Sequence, residues 1–363
     1  MKNESAKRNG AIDFYRFIFA ILVVLRHLRL LLYVYGDENC RFEGYTIAVE
    51  FFFIVSGYLL ARPPKNPLLP IGKAFFEFMW GKFKAIFPAY LFAYLFAIIL
   101  SSYMLAENPL KLIACSVYEL LFLQVTGISH YNGSVYFAVY GGWYISAMFI
   151  GMAVIFPLLY AKRDIFLNII APITAVGIFA YMSHTYGKIN DTMYLNAILR
   201  GISEMLTGCI VYNICEKIKK VNVTAFFSLL LTFVEFACYG CIIVFGSFMR
   251  RSDWDFVAIL ILALGIGISF SGKSYSVKIF SHSIFSLLGK LSLAVYLIHG
   301  RWIILFQWLN LPLSLMETGI MVFALTFATA FLCISLIDVL KLQFKGKWGQ
   351  RLKALFIKQT PQT

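Results

Sequence analysis

The sequence predicts an all-α fold, a polytopic transmembrane helix bundle of about ten spans with both termini cytoplasmic. Three observations carry that expectation. Of the 363 residues, 60% are apolar and 14% charged, with a mean hydropathy of +0.78, whereas a soluble chain has about a quarter charged residues. The apolar residues come in runs such as Ile165 to Ala180 and Phe256 to Phe270, suited to crossing a bilayer rather than to short core stripes. The net charge of +14, from 32 basic and 18 acidic residues, is spread unevenly among the loops, which orients a membrane chain.

From the N-terminus, polar residues Met1 to Gly10 contain Lys2, Lys7 and Arg8 and lead into an apolar stretch from Ile12 to Tyr35. No small-residue cleavage site follows, so a retained anchor is expected. Further spans are expected at 45–61, 86–105, 143–160, 165–183, 195–214, 223–245, 255–271, 284–309 and 316–340. A weaker stretch at 112–126 decides the topology. If it crosses, the Lys162/Arg163 loop and the Lys217/Lys219/Lys220 loop lie opposite the basic N-terminus. If it is re-entrant or interfacial, ten spans remain and every basic loop falls on one side. The ten-span reading places 21 of the 32 basic residues in cytoplasmic segments. Arg41, Lys111, Lys188, Arg250 and Arg251 then lie outside, and Arg16, Arg26, Arg29, Arg200, Lys290 and Arg301 lie within spans.

Residues 1–340 are therefore expected to form one integral-membrane domain of a multi-pass protein in the plasma or inner membrane. Residues 341–363 form a basic cytoplasmic tail, which either rests on an anionic leaflet or stands in solvent. Most of the positive charge is then orientation. Membrane lipids are the expected surroundings, and nucleic acid is not expected as a partner. Cys238 and Cys241 form a CxxC within an apolar span with no histidine near, so packing is expected there rather than a metal.

A charge near the bilayer centre costs about 3 kcal/mol on insertion scales, so each one in a span asks for a partner or a purpose. Arg16 and His27 are eleven residues apart, close to three helical turns, and so share one face about 16 Å apart along the axis. Glu50, near the outer end of the second span, falls at the depth of His27. It can orient that imidazole as a base, or form an ion pair with Arg26 or Arg29. His299 lies as deep in its span as His27 does in the first. A basic layer of Arg16, Lys82, Lys84 and Lys290 suits lipid headgroups or the phosphates of a nucleotide-containing donor. Ser56-Gly57 reads as a close helix contact, and Arg200 with Glu204 as an i, i+4 pair.

These residues carry a resemblance. Arg16 with His27, Val49 to Leu59 (VEFFFIVSGYL), Trp143-Tyr144-Ile145-Ser146, and Leu288 to His299 (LGKLSLAVYLIH) resemble, in order, four motifs of the integral-membrane acyltransferase 3 family. The chain departs from the family where Ala85 stands in place of a second arginine, Met148 in place of an acid, and Leu293 in place of a tyrosine. The resemblance implies transfer of an acyl group, most often acetyl, from acetyl-CoA or another acyl-CoA to a hydroxyl of a glycan or lipid-linked sugar, with no metal. His27, Glu50 and His299 would then be catalytic, and Arg16, Lys82, Lys84 and Lys290 would bind the donor. The rival reading is a proton-coupled exporter of a sugar or small anion, since intramembrane His, Glu and Arg also suit proton relays. No fused extracytoplasmic domain is expected.

Overall fold

Helix α1 (Gly10–Val34) starts where the Asn9 side chain caps it, accepting hydrogen bonds from the amides of Ala11 and Ile12 at 3.1 and 3.2 Å. The Asn9 amide in turn donates to the Ser269 carbonyl at 2.8 Å, tying the first helix to a distant one. This computed structural model describes residues 9–34, 42–64, 66–128, 130–131, 134–135, 137–189, 194–248 and 250–357. A 3₁₀ turn (Glu43–Ile47) leads into α2 (Ala48–Leu60), followed by α3 (Ile71–Leu105) and the short α4 (Pro109–Ser116). Two further 3₁₀ turns (Val117–Leu121, Gln124–Thr126) and a minimal hairpin of β1 (His130–Tyr131) with β2 (Ser134–Val135) precede α5 (Gly142–Ala161). Then come α6 (Arg163–Ile165), a π-helical turn (Phe166–Ile170), α7 (Ala171–Tyr186), α8 (Tyr194–Ile218), α9 (Ala225–Phe248) and α10 (Trp254–Ser271). The chain ends with α11 (Ser276–Ile279), α12 (Ser283–Leu309) and α13 (Leu315–Ile357).

Among the described residues, nine helical stretches are long and apolar enough to cross a membrane. With α1, whose 25 residues also carry Asp13 and three arginines, they match the ten expected spans. The 112–126 stretch is not a span: its α-helix has eight residues and gives way to 3₁₀ turns, too short for a hydrocarbon core of about 30 Å. The third helix departs from expectation at its start. It begins at Ile71 rather than 86, because nothing in 71–85 breaks a helix and Phe78 stacks on Phe156 of α5 at 4.6 Å. Pro88 lies inside it. At 1.5 Å per residue, α3 is about 52 Å long, so it overshoots the hydrocarbon.

Lipid-type surface and core separate by helix. α2, α5 and α8 bury most of their residues, whereas α3, α7, α9 and α13 leave apolar side chains such as Ile99, Ile173, Phe233 and Phe331 exposed. Close helix approach accounts for the centre. Gly57 of α2 and Gly208 of α8 face each other's backbones so closely that no Cβ fits at either, as the small-residue reading of Ser56-Gly57 expects. α1 lies along α12, with Phe14 bridging to Phe280 at 4.6 Å and Phe285 at 5.7 Å.

Candidate functional site

α1 and α12 each carry one histidine toward the other. His27 Nδ1 and His299 Nε2 are 2.9 Å apart. His299 Nδ1 lies 2.7 Å from the Tyr296 carbonyl oxygen, which can only accept, so that nitrogen carries a proton. In the neutral pair His299 Nε2 is then the acceptor and His27 Nδ1 the donor. The consequence is a His27 Nε2 with its lone pair uncommitted to the pair, the form a general base needs. His299 is fully buried. If His27 gains a proton, its charge is shared along the same hydrogen bond.

Toward the end of the bundle that holds Asn9, two cavities share Leu59 and Lys82. The outer, of about 630 Å³, is walled by the proline-rich turn 61–70, by α3 and by the end of α5, and it carries three cations, Arg62, Lys82 and Arg163, against one acid, Glu77. Tyr160 closes the turn by donating to the Leu69 carbonyl at 2.7 Å. Stacking fixes the two arginines: Arg62 stands over the rings of Tyr58 and Phe270, both at 5.8 Å, and Arg163 over Tyr212 at 5.4 Å. The inner cavity, of about 290 Å³, is lined by Arg16, Ser56, Tyr144, Ser292 and Tyr296 among others. Ser56 Oγ and the Tyr144 hydroxyl are 3.3 Å apart. Tyr296, one turn before His299, ends this cavity toward the histidines.

The expected basic layer is partly assembled. Arg16 and Lys82 both reach the inner cavity. Lys84, two positions on and therefore on another face, is exposed and stands over Trp80 at 5.7 Å, away from the cavities. Lys290 lines a third hollow with Arg16 and lies 3.7 Å from Asp338.

Glu50 is not the partner of His27. Its fully buried carboxylate is taken by Arg200 at 2.6 Å and Arg251 at 2.9 Å, and Arg251 also reaches Asp255 at 3.2 Å. Equal depth did not bring Glu50 to His27, because Glu50 faces α8 and the α9–α10 turn. Nor is its ion partner Arg26, and the Arg29 side chain lies outside the described residues. Arg200 and Glu204 lie 3.6 Å apart, with the shorter contact going to Glu50. Trp143 packs beneath Arg200, its ring 5.2 Å from the guanidinium.

The opposite side of the histidine pair is covered by the segment 137–141. Tyr140 meets the His27 ring edge-on, centroids 5.0 Å apart, and lies 6.4 Å from the His299 ring. Buried Glu119 accepts from the amides of Ala138 and Val139 at 2.7 and 3.0 Å. Burial pushes its carboxyl up to about 7, against the pull of those amides and of the Arg301 charge. Arg301 donates to the carbonyls of Ala138, at 2.6 Å, and of Phe137.

Sequence reasoning missed Arg62, Arg163, Glu119 and Tyr140. A signal existed for two of them: Glu119 is the one charged residue in 112–126, and Arg62 adjoins Pro63-Pro64 at a span end.

Compared with known protein families, residues 9–339 match the family model described as an acyltransferase domain, Acyl_transf_3. No curated protein and no solved structure matches the chain.

Proposed function

With nearly its whole length matched, the chain belongs to the acyltransferase 3 family and is a multi-pass membrane acyltransferase, and we propose that it moves an acetyl group from cytoplasmic acetyl-CoA to a hydroxyl of an extracytoplasmic or lipid-linked glycan. The observation that carries this reading is the placement of the histidine pair between a cation-lined cavity at one end of the bundle and a separate covered face at the other.

In this reading the end holding Asn9 is cytoplasmic. Arg62, Arg163 and Lys82 hold the donor's phosphates, to which guanidinium groups bind in bidentate fashion. The donor's arm runs past Leu59, which borders both cavities, and Arg16, Ser56 and Tyr144 surround the thioester. His27 Nε2 takes the proton of the acceptor hydroxyl as its oxygen attacks the thioester carbon. A carbon–oxygen ester bond forms, the carbon–sulfur bond breaks, and the imidazolium returns its proton to the departing thiolate. His299 orients His27 and shares the transient charge, the part the sequence assigned to Glu50. Enclosure limits hydrolysis of the thioester.

Purified protein given labelled acetyl-CoA and a glycan acceptor should release CoA and label the acceptor. His27→Ala should lower that rate by about 10²- to 10⁴-fold, the usual worth of a general base, while its thermal unfolding profile stays that of the parent. Acceptor-dependent proton flux in liposomes without CoA release would overturn the reading in favour of a transporter.

A further inference from the structure

Side chains hold six of the ten backbone polar groups of segment 137–141. Glu119 takes the amides of Ala138 and Val139, and Arg301 takes the carbonyls of Phe137 and Ala138. Gln124 donates to the Val139 carbonyl at 2.8 Å, and the Tyr296 hydroxyl to that of Gly141 at 2.9 Å. The Tyr140 ring is left to project onto the two histidines, and α12 makes room for it. A Cβ on Gly300 would come within 2.5 Å of the Tyr140 Cβ. Consecutive turns of α12 thus bond the strap through Tyr296, supply His299, accommodate Tyr140 at Gly300 and anchor the strap again through Arg301.

Glu119 is a carboxylate with no exposed surface, and burying such a group is expensive unless its hydrogen bonds compensate. Its closest donors are the two strap amides, with Tyr90 and Gln124 at 3.5 Å. The cation-lined cavities end at Tyr296, on the Asn9 side of the histidine pair, and Tyr140 lines neither of them. Tyr140 therefore stands where a second reactant would approach His27 without crossing the donor's path.

We propose that Tyr140 is the acceptor-side gate of the histidine pair, and that Glu119 is the positioning residue that holds the strap bearing it. The strap swings aside to admit an acceptor hydroxyl and recloses to keep water from His27. Its consequence for acyl transfer rests on the function proposed above, but its consequence for access does not. With the gate removed, water replaces the acceptor: its proton goes to His27, its oxygen bonds the acyl carbon, and the free acid and CoA are released.

Two measurements test this. In a Cys40→Ser background, His27→Cys is exposed to a membrane-impermeant thiol reagent from the face opposite Asn9. Adding Tyr140→Ala or Glu119→Gln should speed its modification roughly tenfold, as expected when a local closure is lost, whereas Tyr140→Phe should not. Equal rates in all four proteins would overturn the gate. With His27 intact, Tyr140→Ala and Glu119→Gln should raise acyl-CoA hydrolysis without acceptor and raise the acceptor KM, leaving the acyl-CoA KM unchanged; Glu119→Asp should restore part of the loss. A shift in the acyl-CoA KM alone would assign the strap to donor binding and overturn the proposal. Faster modification in a protein that transfers no acyl group would uphold the gate and overturn the functional reading instead.

Discussion

Lys82 and Lys84 show how much two residues of one type can differ when a helix separates them by 200°. Both are basic, both adjoin the expected membrane boundary, and both were expected to bind the donor. Lys82 lines both cavities, while Lys84 is exposed beside Trp80. Lys82→Ala should therefore raise the acyl-CoA KM by roughly tenfold, the scale of a charge-assisted phosphate contact. Lys84→Ala should leave it unchanged and alter stability by less than about 0.5 kcal/mol, as exposed substitutions do. Steady-state kinetics on the two variants, with unfolding temperatures in detergent, checks both. His27 makes the same point in another way. Its face and depth follow from eleven-residue spacing with Arg16, yet its working tautomer follows from a carbonyl one turn before another helix's histidine.

At the scale of helices, Glu50 joins α2 to α8 and to the start of α10. Two buried arginines share its carboxylate, and Asp255 shares Arg251. Removing the acid would leave two buried cations with weaker partners, a change that typically costs about 3–5 kcal/mol. Glu50→Ala should accordingly lower the unfolding temperature sharply. At a temperature where it remains folded, it should retain more activity than His27→Ala, because the carboxylate meets arginines and not the imidazole. Comparable loss of activity in a fully folded Glu50→Ala protein would return a catalytic role to this acid. The 112–126 stretch illustrates a different element-scale effect. It is apolar enough to suggest a span, but Asn108-Pro109 starts a helix that ends after eight residues, and Glu119 is spent on the strap.

At the scale of the molecule, the alternation of ten long helices among the described residues places Asn9, the 61–70 turn, Arg163, Lys219 and Lys341 at one end. Lys111, Lys188 and Arg250 lie at the other. The excess of basic residues at the first end leads us to propose that it faces the cytoplasm. In sealed right-side-out cells lacking other accessible thiols, Lys111→Cys should react with an impermeant reagent and Lys220→Cys should react only after permeabilisation. The reverse pattern would invert the topology and with it the side from which the donor enters.

Hydropathy and charge in the sequence alone determined a ten-helix membrane bundle, because both the cost of burying charge in lipid and the length needed to cross it act along the chain. Helical periodicity likewise determined that Arg16 and His27 share a face. Only the tertiary structure decided that His27 pairs with His299, that Glu50 serves two arginines, and that Glu119 holds Tyr140 over the site. Depth in a span is a one-dimensional quantity. Which side chains meet at that depth depends on how each helix is rotated about its axis and which neighbours it packs against, and those are set by contacts between residues as far apart as 27 and 299.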